Sequence, residues 1–180
     1  MRHVIVEGPD GSGKSTMVER IHTTLGLPVH PRASTSKGGP VDDLAGWVEA
    51  DLAWMQGPNT VANVYDRHPI ISEPIYGPSV RGWAMPGFRA VTDRFQLASR
   101  RLEIAKYAAV IFCRPPIHVV RANVEATLDN QMPGVLSALP VIYSGYQQVE
   151  RHWPGLAWRY DYMTDDVESL LSRIKEEVNR

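Results

Sequence analysis

The chain has 180 residues, 43% of them hydrophobic and 22% charged, which suits one soluble domain with a single buried core. The formal net charge of −1 at pH 7 gives no global positive field that would draw it to nucleic acid. One cysteine, Cys113, excludes an internal disulfide. No apolar run approaches the roughly 20 residues a membrane helix needs, and a cytoplasmic protein is expected.

Short β-branched runs alternate with helical patterns, the signature of βαβ units around a parallel sheet. Residues 4–6 read as a buried first strand. Residues 15–25 read as a helix with Val18, Ile21 and Leu25 on one face, ended by Gly26 and Pro28. A second strand is expected near 29–34, then a helix from about 42 to 55 with Leu44, Val48, Leu52 and Met55 inward. Residues 61–65 read as the third strand. Phe88, Val91, Phe95, Ala98, Leu102 and Ala105 recur at steps of three and four, the strongest helical signal in the chain. Residues 108–113 form a continuous apolar strand closed by Pro115 and Pro116. Ile117, Val120, Val124 and Leu128 mark another helix, and Ile142, Tyr146 and Val149 a further one. Residues 157–160 read as the last strand. Val167, Leu170, Leu171, Ile174 and Val178 stripe a closing helix. Two stretches, 69–87 and 129–140, are rich in Gly, Pro, Ser and Met, and loops of such length in a compact domain are usually binding loops or lids.

The opening run ends in Gly8-Pro9-Asp10-Gly11-Ser12-Gly13-Lys14-Ser15, which satisfies G-x-x-x-x-G-K-[ST] directly after a strand and at the start of a helix. The glycines let successive backbone N–H groups turn toward phosphate oxygens, and the helix start adds donors and a partial positive charge. Lys14 supplies a point charge for the β- and γ-phosphates, the Ser15 hydroxyl a Mg²⁺ ligand, and Thr16 a contact to the α-phosphate. The loop therefore reads as a nucleotide site for ATP with Mg²⁺. No N-K-x-D guanine-reading motif accompanies it. Further on, a strand ends in Asp66-Arg67 and leads to Ser72 and Tyr76. At the carboxyl end of a strand beside the phosphate loop, Asp66 can hold the metal or its water and Arg67 can clamp an acceptor's phosphate.

With "VEGPDGSGKST" and "DRHPIIS" the chain resembles the thymidylate kinase branch of the P-loop nucleoside and nucleotide kinases, whose motifs read E-G-x-D-G-x-G-K-S-T and D-R-Y-x-x-x-S. "HPRASTSKGG", "AAVIFCRPP" and "YDYMTDDVESLLSRI" resemble that family's second strand, fourth strand and closing segment less specifically. The resemblance implies one domain over residues 1–180, a five-stranded parallel sheet with helices on both faces, and acceptor-binding segments at about 29–56 and 66–100. It also implies a short lid at about 121–140 and transfer of the γ-phosphoryl of ATP to a nucleoside monophosphate, most simply dTMP or another dNMP. Asp10 then orients the acceptor, Arg67 and Arg32 hold its phosphate, Asp66 serves metal or acceptor, and Tyr76 lines the pocket. A homodimer is compatible with this reading, and a nucleic-acid or membrane partner is not expected.

That family carries a catalytic arginine in the phosphate loop or the lid. Here the loop has Ser12, and residues 122–150 hold no Lys or Arg. Arg121 at the lid's entrance is the first candidate for this cation and Arg114 the second, while Arg81 and Arg89 are placed to meet the acceptor. His68 reads either as an acceptor contact or as a wall residue, Cys113 as an inert core thiol, Trp47 as core and Trp83 as a pocket or lid residue. "SRR" at 99–101 reads as a solvated helix face. The rival to a monophosphate kinase is a nucleoside kinase, whose hydroxyl acceptor needs a base such as Glu7 or Asp10. A kinase of polynucleotide ends or modified bases, and a non-catalytic nucleotide-binding regulator, are further alternatives.

Overall fold

The computed structural model describes residues 2–33, 43–58, 60–81 and 94–179. Its strands are β1 (His3–Glu7), β2 (Val29–His30), β3 (Val64–Asp66), β4 (Ala108–Cys113) and β5 (Ala157–Tyr160), joined in one sheet of order β2-β3-β1-β4-β5. Every strand pair is parallel, with Val6 opposite Asp66 on one side and Glu7 opposite Phe112 on the other. The expected five-stranded parallel sheet is the one observed. β1 lies at its centre and every residue of β1 and β4 is buried, which is why residues 4–6 and 108–113 read as unbroken apolar runs. The chain moves from β1 to β3 on one side and then to β4 on the other. The carboxyl end of β1 is therefore the point where the strand order reverses and a crevice opens.

Among the described residues the α-helices are α1 (Lys14–Leu25), α2 (Leu44–Met55), α3 (Pro69–Tyr76), α4 (Arg94–Tyr107), α5 (Ile117–Ala126), α6 (Val135–Arg151) and α7 (Val167–Val178). Alternation along β1 divides the core. Val4 and Val6 pack with Met17, Val18 and Ile21 of α1 and Leu170, Leu171 and Ile174 of α7. Ile5 faces the other layer, built from α2, α3, α4, α5 and α6, and Glu7 follows it on that face. Among the described residues no helix is long and apolar enough to cross a membrane.

Several elements differ from expectation. β2 stops at His30 rather than 34, because Pro31 has no N–H to continue the ladder; residue 34 and the start of the following helix at 42 lie outside the described residues. β3 begins at Val64 rather than 61, since Val61 is exposed and the Asn63 N–H is taken by the His3 ring. Residues 69–81 are helical rather than irregular. His68 caps α3 by accepting the Ile70 N–H on Nδ1, Pro69 suits the first helical position, and Gly77–Arg81 continues as a wider π-type turn. α6 begins at Val135, with Pro140 inside it, so the part of the expected lid outside the α-helices narrows to residues 127–134, which include a 3-10 turn at Leu128–Asn130. Gly134 starts that helix from a left-handed conformation, φ 89°, and Leu139 is buried one turn before Ile142.

The α4 stripe is turned. Leu102 and Ala98 face outward, while Leu97, Arg101, Ile104 and Ala105 face the core; Phe88 and Val91, and the side chain of Phe95, lie outside the described residues. On α5 only Val120 and Val124 are buried, and Ile117 and Leu128 are exposed.

Candidate active site

The loop from β1 to α1 is closely hemmed in. Gly8 has φ 145°, and a Cβ there would sit 2.2 Å from the Cys113 carbonyl oxygen. Gly13 has φ 83°, and a Cβ there would meet the Tyr162 ring at 3.1 Å. Neither position tolerates a side chain. Lys14 Nζ donates to the Pro9 carbonyl oxygen at 2.6 Å. Burial pulls its pKa down to about 7; the Arg67 charge adds to that pull, and Asp10 opposes it.

Ser15 Oγ donates to Asp66 Oδ2 at 3.4 Å, so the first turn of α1 meets the carboxyl end of β3. Among the described residues, Asp66 Oδ1 and Ser12 Oγ are buried without a hydrogen-bond partner. The Ser15 hydroxyl and the half-satisfied Asp66 carboxylate are hard oxygen donors side by side, and they fit Mg²⁺. Arg32 pairs with Asp66 Oδ2 and therefore sits on the same carboxylate.

On the other flank Arg67 is the hub. Its Nη2 donates to Asp10 Oδ1 at 2.5 Å and to the Tyr76 hydroxyl at 3.0 Å, and its Nη1 donates to the Tyr146 hydroxyl at 3.2 Å. The guanidinium also lies over the Tyr76 ring, 4.5 Å from its centroid. The Tyr76 hydroxyl donates to Asp10 Oδ2 at 2.9 Å and accepts the Asp10 N–H at 3.1 Å. Burial pushes the Asp10 pKa up, but Arg67, Lys14, Tyr76 and Arg32 outweigh it and hold the carboxyl below its usual range. The fold thus brings Asp10, Lys14, Ser15, Arg32, Asp66, Arg67 and Tyr76 to one end of the sheet.

The remaining basic candidates part company with that cluster. Arg121 is exposed on α5 and, among the described residues, makes no hydrogen bond or ion pair. It lines a surface hollow of about 570 Å³ with Leu128, Met132, Pro133 and Ser137. Arg114 is buried, bonded through Nε to Glu150 Oε2 at 2.7 Å, and lies over the Tyr143 ring. Arg81 pairs with Glu73. Arg89 and Trp83 lie outside the described residues.

His68 is a wall residue: Nδ1 accepts from Ile70, so Nε2 carries the hydrogen donated to Asp51 Oδ2 at 3.0 Å. Trp47 packs on the core, and burial pushes the Cys113 thiol up to about 12. Arg101 overturns the solvated-face reading: its Nε donates to the Ile70 carbonyl oxygen at 3.2 Å.

A cavity of about 370 Å³ adjoins Gly13 and is lined by Thr16, Arg20, Asn123, Tyr160, Tyr162 and Val167. Asn123 Nδ2 donates both to the Gly11 carbonyl oxygen and to the Tyr162 hydroxyl, each at 2.8 Å, and so ties α5 and the segment after β5 to the phosphate loop. Sequence reasoning missed Asn123, Tyr162 and Tyr146. Tyr146 was hidden because it occupies a regular apolar stripe, and nothing in a stripe announces where a hydroxyl ends.

No protein-family profile matches the chain, and no curated protein matches it in sequence. Solved structures do. The YorR protein of Bacillus subtilis, in complex with phosphorylated GDP, superposes with TM-score 0.67 over 98% of this chain and 95% of its own, at 18% identity. The deoxyadenosine kinase of M. mycoides with the products dCMP and a flexible dCDP gives TM-score 0.62 at 13% identity, covering 98% of both chains. The same enzyme with dATP gives 0.58 at 16% identity, over 99% of this chain and 100% of its own. The chain shares its fold with these structures, one of them a deoxyadenosine kinase. At these identities the likeness is one of architecture, and the chemistry must be argued from the side chains.

Proposed function

We propose that the chain transfers the γ-phosphoryl group of ATP to a (deoxy)nucleoside monophosphate, with dTMP or another dNMP the simplest acceptor. The observation that carries this reading is the pair of guanidiniums, Arg67 and Arg32, held by Asp10 and Asp66 across from Lys14. A monophosphate acceptor brings about two negative charges that must lie against the donor's γ-phosphate, and bidentate arginines suit that task. An acceptor phosphate oxygen attacks the γ-phosphorus in line as the bond to the β–γ bridging oxygen breaks, giving ADP and a nucleoside diphosphate. The backbone of residues 8–13 and Lys14 cradle the donor phosphates. Ser15 and Asp66 would hold Mg²⁺, which supplies charge neutralisation on the β- and γ-phosphates. The cavity beside Gly13 has room for the donor base, with the Tyr162 ring on its wall. With Arg114 and Arg81 engaged in ion pairs, Arg121 is the candidate left among the described residues for a cation brought in during transfer.

The nucleoside-kinase reading needs a general base, and a specific observation weighs on it. Glu7 accepts the His68 N–H on Oε1 and the Tyr146 hydroxyl on Oε2, and Asp10 is held by Arg67 and Tyr76, so either carboxylate would have to share or exchange a bond before it took a hydroxyl proton. The M. mycoides deoxyadenosine kinase nevertheless keeps that alternative in view. A panel of nucleosides, mononucleotides and oligonucleotides with radiolabelled ATP decides among the readings. Label on mononucleotides alone is the expected result, label on nucleosides or oligonucleotides replaces it, and no label at all favours a binding protein.

A further inference from the structure

Arg67 is the described non-glycine residue with a left-handed backbone, φ 71°. An ordinary residue adopts that conformation only under backbone strain, so neighbouring contacts must over-determine it. Two are present. The Arg67 N–H donates to the Val6 carbonyl oxygen at 3.0 Å, and the His68 N–H donates to Glu7 Oε1 at 2.7 Å. The turn swings the side chain back over the phosphate loop, where three of its five N–H donors are taken by Asp10, Tyr76 and Tyr146.

Asp10 and Tyr76 sit on the acceptor side and can exchange their bonds for a substrate's. Tyr146 cannot. It is fully buried on α6, and its hydroxyl accepts from Arg67 Nη1 while donating to Glu7 Oε2 at 3.1 Å. Glu7 is itself fully buried and holds the turn with its other oxygen. The hydroxyl can reach because α6 comes close to α3 at the preceding residue: a Cβ on Gly145 would stand 3.0 Å from the Ile75 side chain. A phenylalanine would fill the same volume, so packing does not explain the hydroxyl. One buried carboxylate thus fixes the backbone of Arg67 directly and its guanidinium through a tyrosine.

We propose that Tyr146, anchored on Glu7, is a positioning residue that aims Arg67 at the acceptor. This rests on Arg67 serving the acceptor, as argued above. The test is steady-state kinetics of Tyr146→Phe, Glu7→Gln and the double variant, with ATP and acceptor varied separately. Tyr146→Phe should raise the acceptor KM by at least ~10-fold while the ATP KM stays within about two-fold, since the hydroxyl touches neither the phosphate loop nor the donor cavity. The double variant should be little worse than the worse single one, because both changes break one relay.

An unchanged acceptor KM in Tyr146→Phe, or an equal rise for ATP and acceptor, overturns the proposal. Should the wild-type protein accept nucleosides and not monophosphates, the acceptor reading fails, and Tyr146→Phe is then judged by the same split on the nucleoside's KM. A measurement without turnover covers an inactive protein: nitrogen NMR of the Arg67 guanidinium. Slowly exchanging Nη1 hydrogens in the wild type that become fast in Tyr146→Phe support the relay, and identical spectra overturn it. Glu7→Gln risks the fold, and Tyr146→Phe with its unchanged volume keeps the test standing alone.

Discussion

Lys14 shows how a single side chain is prepared for a ligand. Its ammonium is buried against the Pro9 carbonyl with a pKa drawn down to about 7, chiefly by desolvation. On the proposed reading a triphosphate would offer what the loop lacks, and its arrival would restore the lysine toward its ordinary value. At pH 8 the free side chain is mostly neutral, and ATP binding should take up roughly one proton there, falling toward none near pH 5.5. Calorimetry in buffers of different ionisation enthalpy reads this directly. A Lys14→Met protein should lose the uptake and at least ~10²-fold in phosphoryl transfer; uptake that persists in the variant assigns the proton elsewhere. The shape of the loop between β1 and α1 was legible in the sequence, because its glycines set the backbone at fixed spacing. The relay behind Arg67 was not, because it joins residues 7, 67 and 146 through one hydroxyl.

At the scale of one element, α3 explains an arginine that composition misplaced. Pro74 lies inside the helix and has no N–H for the Ile70 carbonyl four residues earlier. Arg101, reaching across from α4, donates its Nε to that oxygen. Its burial is thus the counterpart of a helix defect, and desolvation lowers its pKa to about 10. Arg101→Met should cost about 1.5–3 kcal/mol of unfolding free energy, as for other hydrogen bonds to charged groups. In a Pro74→Ala background the loss should shrink, since the restored N–H occupies Ile70. Urea unfolding of the four proteins tests this, and strictly additive losses would refute the link. The reading of α4 erred for the same reason. Leu102 and Ala98 continue an apolar stripe on paper, while the true inward face counts an arginine stem as core. α6 was shortened on paper by Pro140, although a proline there removes one bond of a 17-residue helix that is otherwise well buried.

The whole molecule is a sheet whose central strand begins with a histidine. His3 is buried, and its Nδ1 accepts the Asn63 N–H at 3.2 Å, a bond that protonation would abolish. Burial draws its pKa to about 4, against the nearby Asp51 charge. The unfolded chain binds a proton near 6.5 and the native one does not, so stability falls as pH drops from about 6.5 toward 4. By pH 5 this group alone removes about 2 kcal/mol. Chemical denaturation at pH 7 and pH 5 should therefore show a drop about 2 kcal/mol larger for the wild type than for His3→Gln, and equal drops would clear His3 of the effect. The order of the strands also has a consequence during synthesis. β1 leaves the ribosome first, yet its partners are β3 and β4, the latter ending at Cys113. At about 5–20 residues per second, "HVIVE" waits roughly 5–20 s for its second neighbour. β3 can cover one edge about half-way through that interval, the other edge of this apolar strand stays open until β4 is made, and the phosphate loop attached to it has no floor until the central third of the chain has been translated.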